Sequence, residues 1–132
     1  MTKTLKPRTS AREKLRSVNP SGNKDSNFFD LVFQVVAQIP KGRVTTYGAI
    51  AACLGTKSSA RMVGWAMNAV PKGPPRLPAH RVVNRNGMLS GKHAFPTPDA
   101  MQKRLEREKI KVVDDKVQDF KRVFWNPSEE LN

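Results

Sequence analysis

The chain has 132 residues, enough for one domain and a tail. Its 24 Lys and Arg stand against 11 Asp and Glu, and the formal charge of +13 sets up a field that draws in polyanions, nucleic acid first. One Cys and two His supply neither a disulfide nor a four-ligand zinc site, and the sequence has no membrane-length apolar run and no secretory signal core. The expectations are therefore a reducing compartment (cytoplasmic and nucleoid-associated in a bacterium, nuclear in a eukaryote), with no metal, no cofactor and no membrane.

Residues 1–24 are polar, basic and aperiodic. Their seven Lys and Arg and one Glu leave +7 on residues 25–132, and the stretch reads as a disordered arm ahead of a single domain over 25–132. In "SNFFDLVFQVVAQIPKG", Phe28, Val32, Val35 and Ile39 recur at helical spacing, with Phe29 and Val36 widening the stripe. Asn27 is the expected cap of this helix, and Pro40-Lys41-Gly42 its end. A second helix is predicted from Tyr47 to Leu54, stopped by Gly55. A third opens at Ser58 or Ser59 and runs to about Ala69. Two helices joined by a short Gly-containing turn read as a helix-turn-helix.

The third helix has two faces. Val63, Ala66, Met67 and Val70 lie at core spacing and are expected on the first two helices. Arg61, Trp65 and Asn68 share another face, in solvent or on a ligand, and for Trp65 burial in the core is an equal alternative. "PKGPPRLP" is a loop stiffened by four prolines. Val82-Val83 and Met88-Leu89 flank Arg85-Asn86-Gly87 as a small hairpin. A last helix is expected after a Thr97 cap and Pro98, with Met101 and Leu105 inward. "VQDFKRVFWNP" folds back as an apolar clasp. The fold class is mainly α (α+β): a winged-helix-like helix-turn-helix domain with a small β-hairpin.

Three places can carry chemistry. Ser58, Ser59 and Ala60 are small residues at a helix start, where backbone N–H groups can approach a phosphate, and Arg61 projects from the first turn. His80 sits in a Pro-bounded loop, but a general base needs a nucleophile within reach, and its neighbours Ala79 and Arg81 provide none. Cys53 shares the face of Ile50 and Leu54, so it is expected to be buried and inert.

"IPKGRVTTYGAIA", "SSARMVGWAMNAVP" and "LPAHRVV" stand in the order and spacing of the O6-alkylguanine-DNA alkyltransferases. The chain resembles the DNA-binding domain of that family from residue 28 to about 109, with Phe124-Trp125-Asn126-Pro127 as a further match. The resemblance implies that His80 and Glu108 match the His and Glu that activate the family's alkyl-accepting Cys. At the acceptor position itself stands Ala79, and Val70 replaces an Asn that links the recognition helix to the active-site loop. The chain is thus similar to the Cys-less alkyltransferase-like proteins, which hold O6-alkylguanine flipped out of the duplex and flag it for nucleotide excision repair. It is accordingly expected not to be an enzyme.

The resemblance also implies a DNA-contacting set: Thr46 and Tyr47, then Ser58, Ser59, Ala60, Arg61, Gly64 and Trp65, and Arg85 in the Asn-Gly turn. Tyr47 crowds the phosphate 3′ to the target, and Arg61 fills the vacated place. The implied lesion pocket is Tyr47, Met62, Pro78, Ala79, Val83, Ser90, Gly91 and Lys92, entered from the minor groove. The expected partners are double-stranded DNA holding O6-alkylguanine and nucleotide excision repair proteins, with the chain a monomer. Two other readings stay open: a sequence-specific transcription regulator, and an alkyltransferase with an unrecognised nucleophile.

Overall fold

The computed structural model describes residues 24–55, 58–71 and 76–131. Of the expected arm, residues 1–23 lie outside the described residues, as does the centre of the proline-rich loop, residues 72–75. Helix α1 runs Lys24–Gln38. It opens ahead of Asn27, so that residue is not the cap: it sits within the helix with its side-chain oxygen buried and unpartnered. The apolar stripe is buried as its spacing requires, with Leu31 added to Phe28, Val32, Val35, Val36 and Ile39.

The helix-turn-helix follows. Helix α2, Tyr47–Leu54, is capped by Thr46, whose hydroxyl accepts from the Ala49 N–H at 3.0 Å. It ends at Gly55, whose φ of 126° suits a residue without Cβ. Helix α3, Ala60–Asn68, is capped by Ser59, which accepts from Met62 N–H at 3.1 Å. Val63 and Ala66 are buried against α1 and α2, while Met67 and Val70 are only half-buried.

Two short strands run between two cores. β1 (Thr45–Thr46) pairs in parallel with β2 (Val82–Val83), Thr45 opposite Val82 and Thr46 opposite Val83. Successive strand side chains point to opposite faces. Val82 accordingly joins the core of α1, α2 and α3, and Val83 joins a second core with Val44, Leu89, Met101, Leu105 and Ile110.

This corrects the expected hairpin. The Asn-Gly turn forms, with Asn84 Oδ1 accepting from the Asn86 and Met88 N–H groups. Val82-Val83, however, pairs with β1, and Met88 bridges to Lys116. The antiparallel hairpin lies further on, β3 (Val112–Val113) with β4 (Lys116–Val117), turning on Asp114 and Asp115 at positive φ.

Helix α4, Ala100–Arg107, buries Met101 and Leu105 as expected. Its N-cap is Asp99, not Thr97; the Thr97 hydroxyl donates to the Asp99 carboxylate at 2.8 Å, and Pro98 stays in the turn. Nor is it the last helix: α5 (Phe120–Val123) and α6 (Pro127–Glu130) follow. The clasp does fold back. Val44 N–H donates to Val123 O and Trp125 N–H to Val44 O, at 2.9 and 2.7 Å, and Trp125 is buried. The helix-rich α+β class is as expected.

One carboxylate joins these parts. Glu108, at the end of α4, accepts from Gly42 N–H at 3.0 Å and from Arg81 Nε and Nη2 at 2.9 and 2.7 Å. Its Oε2 lies 2.7 Å from His80 Nε2. Arg81 Nη1 reaches on to the Ile39 carbonyl at 2.8 Å. Burial pushes the Glu108 pKa up, but the Arg81, Gly42 and His80 hydrogen bonds outweigh it and bring it from 4.5 to about 2.

A carboxylate held below its unfolded value stabilises the fold above that value, and the contribution is lost as pH falls through the folded pKa. Thermal melts should therefore show Tm falling steeply as pH drops from about 4.5 towards about 2. Glu108→Gln should flatten that segment, and Glu108→Ala should cost about 3–5 kcal/mol at neutral pH, as removal of one member of a buried ion pair does.

Candidate functional site

The loop with Pro78, Ala79, His80 and Arg81 winds into a 3₁₀ turn over Ala79–Arg81, with Arg81 N–H donating to Pro78 O at 3.0 Å. Glu108 fixes the two side chains that follow Ala79. Burial lowers the His80 pKa, and Glu108 only partly offsets this. The imidazole is therefore neutral at physiological pH, with its Nε2–H donating to the carboxylate. A general base so oriented normally serves a nucleophile, and the adjacent position carries the Ala79 methyl. Cys53 is buried in the first core, and burial raises its thiol pKa to about 11, which disfavours the reactive thiolate.

A cavity of about 410 Å³ opens between α3 and this loop. Ala60, Arg61, Gly64 and Trp65 line it from the helix, with Met67 and Asn68 deeper along the same helix. Tyr47, Ala79, Val82, Ser90 and Gly91 face them, and Ala94, Phe95 and Met101 complete the wall. The Tyr47 pKa is raised by burial, and the neighbouring Ser90 hydroxyl draws it partly back. A Cβ on Gly91 would lie 2.8 Å from the Tyr47 hydroxyl, so the phenol approaches this closely only because residue 91 is glycine.

Of the expected pocket, the fold brings together Tyr47, Ala79, Ser90 and Gly91. Met62, Pro78, Val83 and Lys92 are not among the lining residues. Strand alternation turns Val83 into the second core and leaves Val82 on the cavity. Met62 and Met67 both pack against the first core, and of the two only Met67 also lines the cavity. Pro78 only opens the 3₁₀ turn. Lys92 is drawn away by Asp115, its Nζ 2.6 Å from Oδ2.

Of the expected DNA-contacting set, Ala60, Arg61, Gly64 and Trp65 stand along one side of the cavity, with Tyr47 across from them. Trp65 is exposed, which settles its two readings against the core. Ser58 and Ser59 precede the helix, and Ser59 caps it. Thr46 is buried and its hydroxyl is engaged as a cap, while Arg85 is exposed on the Asn-Gly turn.

Sequence reasoning missed a second cavity of about 480 Å³. It shares Met67, Asn68, Ala79, Ala94 and Phe95 with the first and adds Val70, Leu77, Arg76, His93 and Arg104. Arg104 lies over the Phe95 ring at 5.1 Å. Ala79 thus stands at the junction of two spaces. No group of three or more candidate metal ligands occurs among the described residues, and no described helix is long and apolar enough to cross a membrane.

The family model for the 6-O-methylguanine DNA methyltransferase DNA-binding domain matches residues 27–110. The chain is 40% identical over 105 residues to the DNA base-flipping protein of Escherichia coli K12, covering 78% of each chain. It is 33% identical over 104 residues to Alkyltransferase-like protein 1 of Schizosaccharomyces pombe, covering 76% of this chain and 95% of that one. Among solved structures it is similar to S. pombe Atl1 in complex with damaged DNA containing O6-carboxymethylguanine. The TM-score is 0.68 at 31% identity, over 80% of this chain and 100% of that one. The domain match spans the helix-turn-helix, the Ala79–Arg81 loop and Glu108 together, and the chain belongs to the family of the 6-O-methylguanine DNA methyltransferase DNA-binding domain.

Proposed function

We propose that the chain binds double-stranded DNA containing O6-alkylguanine, receives the damaged base flipped out through the minor groove, and flags it for nucleotide excision repair without transferring the alkyl group. The single observation that carries this reading is Ala79. A family loop, with its imidazole and carboxylate in place, presents a methyl group to a base-sized cavity. The relatives named for base flipping and the Atl1 complex with damaged DNA support it.

The chemistry of the lesion fits a binder. Alkylation at O6 removes the N1–H donor and makes O6 an ether, so pairing with cytosine weakens. Extrusion costs a few kcal/mol, least for a damaged base, so the lesion is favoured before any pocket contact. On this reading Tyr47 crowds the 3′ phosphate, Arg61 takes the vacated place, and Tyr47, Met67, Ala79, Val82, Ser90 and Gly91 surround the base. Lys92, held by Asp115, positions the Ser90-Gly91 segment without touching the lesion. The minor groove carries a degenerate code, which suits recognition of damage in any sequence. Residues 25–132 form the binding domain and act as a monomer; the arm over 1–24 adds charge without reading the base.

The reading is tested by incubation with a duplex carrying O6-methylguanine. The lesion should stay in the DNA and the protein mass should not change, while excess protein should shield the lesion from an active alkyltransferase. S-methylcysteine at Cys53 would overturn it. Arg61→Ala and Tyr47→Phe should each reduce the preference for lesion over guanine, whereas deletion of residues 1–24 should weaken both duplexes together, with a shallower salt dependence. The opposite assignment of effects would refute these roles.

Space beside Ala79 sets the range of adducts. Carbons beyond methyl can extend past Ala79 into the second cavity, at about 0.8 kcal/mol per buried methylene. Ala79→Leu should therefore weaken binding of a bulky O6 adduct by ~1–3 kcal/mol, more than it weakens O6-methylguanine. Gly91→Ala should displace the Tyr47 hydroxyl and lower lesion affinity while Tm barely moves. Equal losses of Ala79→Leu across guanine, methyl and bulky duplexes, read by titration, would remove Ala79 from the pocket.

A further inference from the structure

Among the described residues, only Trp65 and Val113 are large hydrophobic side chains that stand exposed, at 55% and 44%. The other tryptophan, Trp125, is 4% exposed, so this fold does bury an indole where it packs one. Trp65 lies one helical turn after Arg61, on the face of α3 turned away from the core residues Val63 and Ala66. The helix surface beside it is open at Gly64, where an added Cβ would meet no atom within 4 Å outside its chain neighbours and its own helix backbone. The Arg61 guanidinium lies 5.6 Å from the indole centroid, and Arg61 forms no ion pair with a carboxylate among the described residues. Both side chains line the 410 Å³ cavity. An indole left in solvent beside such a cavity adds little to folding. Its flat apolar ring, with Arg61 over one face, suits a ligand that is itself flat and apolar.

We propose that Trp65 is a stacking platform for a nucleobase uncovered by nucleotide extrusion, and that Arg61 rests on this platform until DNA displaces it. The inference rests on the base-flipping function above. In the free protein the cation–π contact orients the guanidinium at the cavity rim and covers one face of the ring. When the guanidinium moves into the space vacated in the duplex, that face is released beside the gap. Each base bordering the gap has lost a stacking neighbour; the guanidinium covers one of the two exposed faces and the released indole covers the other. An intact duplex offers no such face, because every base is covered on both sides. Trp65 therefore acts on the opened duplex alone, which makes it a specificity-determining residue. The Arg–Trp spacing at i, i+4 on one helix lets a single motion hand the ring from the cation to the base.

The test uses the full chain as wild type, Trp65→Ala, Trp65→Phe and Trp65→Leu. Each is titrated at one salt concentration against the same duplex with guanine or O6-methylguanine. Trp65→Ala should lower lesion affinity about tenfold and guanine affinity less than about twofold, the former being the scale of one base–aromatic stack. Trp65→Phe should recover most of the loss, and Trp65→Leu, apolar but without a π face, little of it. The part of the tryptophan emission that Trp65→Phe removes should be quenched by the lesion duplex and not by the guanine duplex. Because Trp65 is exposed, all variants should melt as the wild type does.

Equal losses on both duplexes, an unchanged affinity, or recovery by Leu as full as by Phe overturns the stacking role. A wild type that binds the two duplexes equally overturns the base-flipping reading and this inference with it. Wild-type discrimination that survives Trp65→Ala overturns this inference alone.

Discussion

Glu108 is the constraint on which the site depends. Its two oxygens take hydrogen bonds from the turn after α1, from Arg81 and from His80, and Arg81 extends the network to the Ile39 carbonyl. Three segments far apart in sequence are thereby held at one point, against a backbone that β1–β2 pairing also fixes. The 3₁₀ turn that carries Ala79 has no side-chain cap of its own, and its position comes from this carboxylate. A buried ion pair of this kind need not add net stability, but losing one partner leaves the other uncompensated. The geometry around Ala79 is therefore specific whether or not chemistry occurs there.

The same arrangement separates arrival from selection. A formal charge of +13 draws the chain to any duplex and carries no information about a base. Selection, on the proposed function, belongs to the uncharged walls: a tyrosine held close by a glycine, a methionine, a valine, and a methyl group where two cavities meet. Retaining the imidazole–carboxylate pair keeps the loop in shape. On the proposed function the interaction then ends at binding, and the complex persists for as long as its dissociation allows.

Local signals made much of the fold legible. The α1 stripe, the bounds of α2, the opening of α3 at Ser58 or Ser59 and the burial of Cys53 depend on spacing and on side chains within one turn, which a sequence displays directly. In the candidate site, motif positions were legible as neighbours: Tyr47, Arg61 and Ala79 line one cavity, and His80 pairs with Glu108. What escaped was set at long range. β1 claims Val82-Val83, so the hairpin expected with Met88-Leu89 does not form, and strand alternation then puts Val82 and not Val83 on the cavity. Asp115, on a hairpin that no local pattern announced, draws Lys92 aside. Helix α1 starts before its expected cap, leaving the Asn27 oxygen buried and unpaired. The second cavity needed three distant segments to be seen together.

The most direct measurement is a pair of binding titrations on one duplex sequence, with guanine or O6-methylguanine at a single position, repeated over a range of salt. Binding by phosphate neutralisation with recognition confined to the cavity should give affinities that fall in parallel as salt rises, because both duplexes release the same counterions. The lesion should be preferred by the same factor throughout. Equal affinities at every salt concentration, or a preference that vanishes as the charge is screened, would contradict recognition of the damaged base.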